Sequence, residues 1–292
     1  MKVKIVCFCL CGLWYNFASA QESNLQRFTP ARLFEKGTIE ANLFHNLYTQ
    51  EKIRDASGTI VQLNQRQTFF NGLYQFTYGV SNSGRVNLGV DINYNRSLYD
   101  SKKGNALNVL FSDEGEFSRF ILGSIGPRIK FIPFKTLSNF SVQSTFLFPL
   151  ASEQEIPSFT GHDRYTWNTQ FFYDLKINET WRLFFETGFL YRIRRYSSQV
   201  NFFNIPTNIF VSYFPYSRVA IYGFGQYSPA FRRQFNAVDQ LFGLSNWYTQ
   251  VGAGVKYQFT SKLGVEFSYG NFIRSQNDGA GEVINFAIRY IR

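Results

Sequence analysis

The sequence predicts an all-β fold: a transmembrane, antiparallel, up-and-down β-barrel of about twelve strands with both termini on the periplasmic side. Three observations predict it. The chain opens on an export leader. From Gly37 onward apolar and polar residues alternate with period two, in segments about ten residues or more long, parted by clusters of Gly, Asn, Ser, Asp and Pro. The connections between these segments alternate between short and long, the rhythm of outer-membrane barrels, whose periplasmic turns are short and extracellular loops long.

Residues 1–20 read as the leader: Lys2 and Lys4 form a positive n-region, Ile5 to Trp14 an apolar stretch, and Ala18-Ser19-Ala20 a small-residue cleavage site, so that the mature chain begins at Gln21. The apolar stretch is too short for a spanning helix, and no later one reaches the roughly 18 uninterrupted apolar residues that a helix needs. Cys7, Cys9 and Cys11 all lie in the leader, which leaves the mature chain without a thiol, a disulfide or a thiolate metal site. Residues 21–36 form a periplasmic N-terminal segment, too short for a substantial plug but able to tuck into the lumen, and 37–292 form the barrel.

Strands are expected over 37–49, 65–80, 85–100, 117–130, 139–150, 163–177, 180–196, 207–215, 217–228, 246–260, 262–273 and 282–291. The alternation is plainest near the C-terminus. Trp247, Thr249, Val251, Ala253, Val255, Tyr257 and Phe259 share one face, against Tyr248, Gln250, Gly252, Gly254, Lys256 and Gln258. After Ser261-Lys262 the apolar face resumes in Leu263, Val265, Phe267 and Tyr269, which marks a hairpin. Long connections fall at 50–64, 101–116, 151–162, 197–206, 229–245 and 274–281, and short ones at 81–84, 131–138, 178–179, near 216 and at 261. Tyr48, Tyr99, Tyr165, Trp247 and Tyr248 lie near outer strand ends, and Trp181, Tyr213, Tyr257, Phe259 and Tyr290 near periplasmic ends, as two interfacial girdles require.

Composition agrees. Aromatic residues make up 19% and charged residues only 17% of the chain, below the usual quarter or so, so something other than water covers much of the surface. Mean hydropathy is nevertheless slightly negative, as when a polar lumen alternates with a lipid face. The formal charge of +10 falls to +8 when Lys2 and Lys4 leave with the leader. In an exported protein that excess meets anionic lipid headgroups or an anionic solute, not nucleic acid.

The final strand, with Ile284, Phe286, Ile288 and Tyr290 on one face, resembles the C-terminal signature of outer-membrane barrels, although this chain ends on Ile291-Arg292 and not on an aromatic residue. With Asn42-Leu43-Phe44, Asn46-Leu47-Tyr48-Thr49 and Asn285 to Tyr290, the mature chain resembles uncharacterised transporter-like barrels of Bacteroidota over nearly its whole length. That group is distantly similar to the hydrophobic-compound channels of phenol and other aromatic degradation pathways. The resemblance implies an outer-membrane location and transport. It assigns no functional residue. The expected partners are outer-membrane lipid and lipopolysaccharide, and the barrel-assembly machinery during insertion.

Catalytic motifs are absent. Of the two histidines, His45 is followed by Asn46 and Leu47, so no His-x-Ser arrangement exists, and His162-Asp163 lacks neighbouring ligands for a metal. Gly223-Phe224-Gly225 and Gly252-Ala253-Gly254 lie within strands, so they relieve crowding and do not cradle phosphate. No enzyme activity, cofactor or metal is expected. The lumen face carries Glu40, Asp91, Arg128, Asp174, Arg182, Glu186, Arg192, Arg194, Lys256, Glu266 and Arg289. Turned outward, an Arg or Lys would cost about 2–4 kcal/mol at the bilayer midplane. These charges either pair across the lumen and hold it shut or, led by Arg192 and Arg194, attract an anion; Arg194-Arg195 alternatively meet lipopolysaccharide phosphates at the rim. The same face takes Phe69, Leu73, Phe120, Leu122, Leu147, Phe172, Phe184 and Leu190, too apolar for a wide water-filled porin. The expected function is passive passage of a small hydrophobic or anionic solute across the outer membrane. The alternatives are an accessory barrel of a secretion, assembly or surface complex, and, third, a lipid-modifying enzyme.

Overall fold

The computed structural model describes residues 30–101, 104–113, 118–151, 163–196, 199–232 and 243–292; residues 1–29, which include the expected leader, and His162 lie outside them. Its strands are β1 (Ile39–Arg54), β2 (Ile60–Gly79), β3 (Val86–Ser101), β4 (Ser118–Phe131), β5 (Phe140–Pro149), β6 (Tyr165–Lys176), β7 (Trp181–Ile193), β8 (Phe202–Asn204), β9 (Thr207–Tyr216), β10 (Val219–Arg232), β11 (Gly243–Gln258), β12 (Leu263–Gln276), β13 (Asp278–Gly279) and β14 (Glu282–Ile291). Each pairs antiparallel with its neighbours, and β1 pairs with β14 from Glu40↔Ile291 to Thr49↔Glu282, which closes the sheet. Because β8 and β9 share one place between β7 and β10, and β13 is a short pair on the end of β1, the wall is a closed barrel of twelve strands. Closure leaves no open sheet edge, the condition for an all-β wall in lipid.

Both ends of the barrel chain meet at one rim, where Ile39 N donates to Arg292 O at 2.7 Å and Arg292 N to Ile39 O at 2.8 Å. The short turns share that rim, and local side-chain chemistry forms them. Asn178 Oδ1 accepts from Thr180 N at 2.9 Å and Trp181 N at 2.8 Å, and Thr260 Oγ1 accepts from Leu263 N at 3.0 Å. Gly84, at φ 61°, supplies the left-handed residue of the β2–β3 turn.

At the other rim the first hairpin is longer than the sequence suggests. Instead of a loop over 50–64, β1 and β2 pair as far as Arg54↔Ile60, and Asp55 closes the tip by accepting from Ser57 N and Thr59 N at 2.9 Å. The pattern misses this extension because a bulge between Gln50 and Lys52 breaks the alternation. The predicted loop 197–206 likewise contains β8, which pairs with both β7 and β10; Pro206, with no N–H to give, separates it from β9.

The outer face carries the exposed apolar side chains, among them Phe76, Val90, Phe148, Val211, Ile221, Val255, Phe267 and Phe286. Beside the β8–β9 break it forms an apolar groove of about 450 Å³ lined by Trp167, Phe189, Tyr191, Phe203, Ile205 and Phe231. A short 3-10 helix, Ala106–Leu110, lies on this face near the far rim, where Val109 packs on Leu47 and Leu98. Outward charges appear at the same level. Arg96 reaches the carbonyls of Leu110 and Ser112, and Arg66 pairs with Glu51.

Two expectations about facing are corrected. A bulge between Asn93 and Tyr94 sets Tyr94 opposite Leu122, so Phe120 and Leu122 are exposed on the outer face and Ile121 turns inward. Tyr48, Tyr99 and Tyr248 also lie on the inner face, where Tyr48 stacks on Phe69, so the far-rim girdle falls to outward rings such as Tyr227 and Trp247. At the near rim the outward pairs Trp181–Tyr213 and Tyr257–Phe259, at 4.8 Å each, fit the girdle expected there.

Candidate functional site: the barrel interior

Strand parity puts the functional side chains on the inner wall, and their partners are on adjacent strands. Asp91 of β3 and Arg128 of β4 pair at 2.5 Å, both almost fully buried. Gly89 leaves room for the Arg128 guanidinium to cross β3 and donate to Thr77 of β2 at 2.5 Å. Gln75 and Thr145 complete the shell of Asp91 at 3.3 Å each. Glu40 of β1 pairs with Arg289 of β14 at 2.6 Å, Asp174 of β6 with Arg182 of β7 at 3.1 Å, and Glu266 of β12 with Lys256 of β11 at 3.0 Å. Tyr222 donates to Glu266 at 2.5 Å, and Gln170 to Glu186 at 2.6 Å. An added Cβ at Gly252 or Gly254 would meet the rings of Phe224 and Tyr222, so these glycines make space for inward aromatics. Higher up, a polar ladder runs through Asn71, Asn46, Asn285 and Ser268, with contacts of 3.5, 2.7 and 3.0 Å.

Residues ahead of β1 lie inside the near rim. Ala31 is fully buried against Phe172, Phe184 and Phe210 on the β6–β9 side. Phe34 N donates to Asn87 Oδ1 at 3.3 Å, and the Phe34 ring lies under Arg289 at 5.9 Å. Lys130 donates to the Pro30 carbonyl and sits 4.7 Å from the Phe172 ring. The segment thus crosses the lumen from one wall to the other.

Toward the far rim the inner wall changes character. Arg192, Phe202 and Arg232 are in register on β7, β8 and β10, with the two guanidinium carbons 5.6 and 4.9 Å from the Phe202 ring centre. Arg194 is not part of this wall. β7 ends at Ile193, so alternation no longer governs Arg194, which is exposed and bonds Asn201 Oδ1 through its backbone N–H. Sequence reasoning missed Arg164, Phe202 and Arg232. Arg164 was legible by its count from Thr166 in the strand expected over 163–177, although β6 begins only at Tyr165; Phe202 and Arg232 lay in segments read as loops.

His45 faces outward between Phe70 and Phe286, with Tyr74 Oη 3.4 Å from its Nε2. Among the described residues no group of three His, Cys, Asp or Glu is placed to hold a metal.

No family model and no curated protein sequence matches the chain. Solved structures do share its fold. An outer-membrane channel from Pseudomonas putida F1 superposes with a TM-score of 0.68 at 11% identity, covering 90% of this chain and 98% of that one. The β domain of the Bordetella autotransporter BrkA gives 0.52 at 10% identity over 86% and 98% of the two chains. The translocator domain of the Neisseria meningitidis autotransporter NalP gives 0.50 at 7% identity over 88% and 89%. At such identities the likeness is one of fold. The closed twelve-strand wall and its apolar outer face thus define a β-barrel of the outer-membrane type.

Proposed function

We propose that the protein is a passive channel or facilitator for a small hydrophobic or anionic solute in a Gram-negative outer membrane, exported by its leader, with both termini in the periplasm. The observation that carries this reading is where the inner charges pair. Asp91–Arg128, Asp174–Arg182, Glu40–Arg289 and Glu266–Lys256 each join neighbouring strands, so they lie along the wall instead of stitching opposite walls together. A polar wall of this kind supports a solute path. The shared fold includes a channel from Pseudomonas putida, which is compatible with the reading.

Reconstitution into planar bilayers, with liposome swelling over solutes of differing charge and apolarity, tests it. Discrete conductance and solute-dependent swelling are expected; a folded barrel that is silent toward all of them would sink the channel reading. One observation favours the second reading, an accessory barrel: the segment around Ala31 and Phe34 lies across the near rim. If removing that segment also leaves the barrel silent, the accessory reading takes over.

A further inference from the structure

We infer that the far-rim inner wall binds an organic anion, a carboxylate carried on a flat apolar body, with the carboxylate held between Arg192 and Arg232. This deepens the channel reading and rests on it.

The charged half of the site is the row Arg192, Phe202, Arg232; Arg164, just ahead of β6, brings a third charge near Arg192. Lower in the barrel Arg128, Arg182, Lys256 and Arg289 each have a carboxylate. Here, among the described residues, neither Arg192 nor Arg232 forms an ion pair, and Arg192 feels the attraction of Asp163 followed by the repulsion of Arg164 and Arg232. The acidic groups nearby have their own partners. Asp163 pairs with Arg164 at 3.4 Å and accepts from Gln199 at 2.8 Å. Asp278 accepts from Asn246 at 2.5 Å and Gly279 N at 2.7 Å. Guanidinium groups gathered against a ring, with local carboxylates otherwise engaged, leave forked donors for an incoming oxyanion.

The apolar half adjoins it. On the inner face the rings of Tyr99, Phe69, Tyr48, Phe272 and Tyr248 follow one another at 6.1, 6.1, 5.1 and 4.6 Å. Tyr248 stands opposite Ser228 of β10, on the same face as Arg232. All five rings are only half-buried, so they present apolar surface to the lumen. Aromatic faces favour a flat partner, and the ladder ends on β11, beside the strand that carries Arg232. A bare inorganic anion would leave the ladder unused, and a neutral aromatic the arginines.

Calorimetry on the purified barrel in detergent tests this with three probes: benzoate (charge and flat body), acetate (charge alone) and benzyl alcohol (body alone). Benzoate is expected to bind at least about tenfold more tightly than either. In the Arg192→Gln/Arg232→Gln variant that advantage is lost while benzyl alcohol binds unchanged. The variant's heat-modifiable gel migration reports its folding. Should it not fold, Arg192→Lys, which keeps the charge but loses the fork, is expected to weaken benzoate several-fold. Equal affinity for the three probes, or benzoate affinity unchanged in the variants, overturns the site. Conductance without benzoate preference removes the site and keeps the channel; benzoate binding without conductance removes the channel and keeps the site.

Discussion

Arg128 and Asp91 are the pair in which single-residue energetics are most concentrated. Both side chains are nearly inaccessible, and Asp91 is satisfied by Arg128, Gln75 and Thr145 together. Removing one partner strands the other's charge, so Arg128→Met is expected to cost about 3–5 kcal/mol, whereas Arg128→Met with Asp91→Asn recovers most of it. Urea unfolding in lipid vesicles, followed by heat-modifiable migration, checks both. By contrast Lys176 and Glu179, paired at 2.7 Å on an exposed turn, are worth little; Lys176→Ala is expected to leave the same unfolding curve unmoved. At the tip of the first hairpin, the Ser57 hydroxyl and then the backbone N–H groups of Thr59, Ser57 and Gly58 hold the Asp55 carboxyl below its ordinary range. A depressed folded-state value means that the stabilisation is complete above the unfolded value, near about 3.9, and fades as pH falls through the folded one. The protection of the Thr59 amide, taken relative to its intrinsic exchange rate, is therefore expected to fall only in acid, and Asp55→Ala to abolish that acid step.

For an element, β4 is the instructive case. Counting by twos from Arg128 puts Leu122 and Phe120 inside, but the extra residue near Gly123 reverses parity, so Arg119 faces the lumen and Phe120 the outside. All three cysteines lie in the first twenty residues, so single thiols placed in a chain that begins at Gln21 can report facing directly. Arg119→Cys is expected to react with a charged, water-soluble maleimide, and Phe120→Cys only with an apolar one. The reverse pattern would refute the bulge. β8 teaches the same about length. Its three residues continue the β9 position past Pro206, and that continuation brings Phe202 between Arg192 and Arg232.

Across the whole molecule, the segment from Pro30 to Lys36 relates the near rim to conduction. It is held by Lys130 and the Phe172–Phe184–Phe210 patch at one end and by Asn87 and Arg289 at the other. Deleting residues 21–36 is expected to raise single-channel conductance about twofold or more in planar bilayers without loss of the folded barrel, because the strand pairing of β1 begins at Ile39. Unchanged conductance would place the limiting constriction elsewhere.

The sequence by itself determined the class of wall, the strand count and the sites of nearly all the strands, because a sheet with lipid on one side and a polar lumen on the other writes period-two alternation into every strand. It also placed Glu40, Asp91, Arg128, Asp174 and Arg182 on one face, since facing follows parity wherever no bulge intervenes. What only the tertiary structure decided is who meets whom: that the inner charges pair with the next strand along the wall, that Ala31 reaches Phe172 across the lumen, and that Arg192 and Arg232 share the ring of Phe202. Parity is local, but pairing depends on inter-strand register, on bulges such as the one facing Tyr94, and on barrel closure, and these are set by hydrogen bonds between residues far apart in the chain.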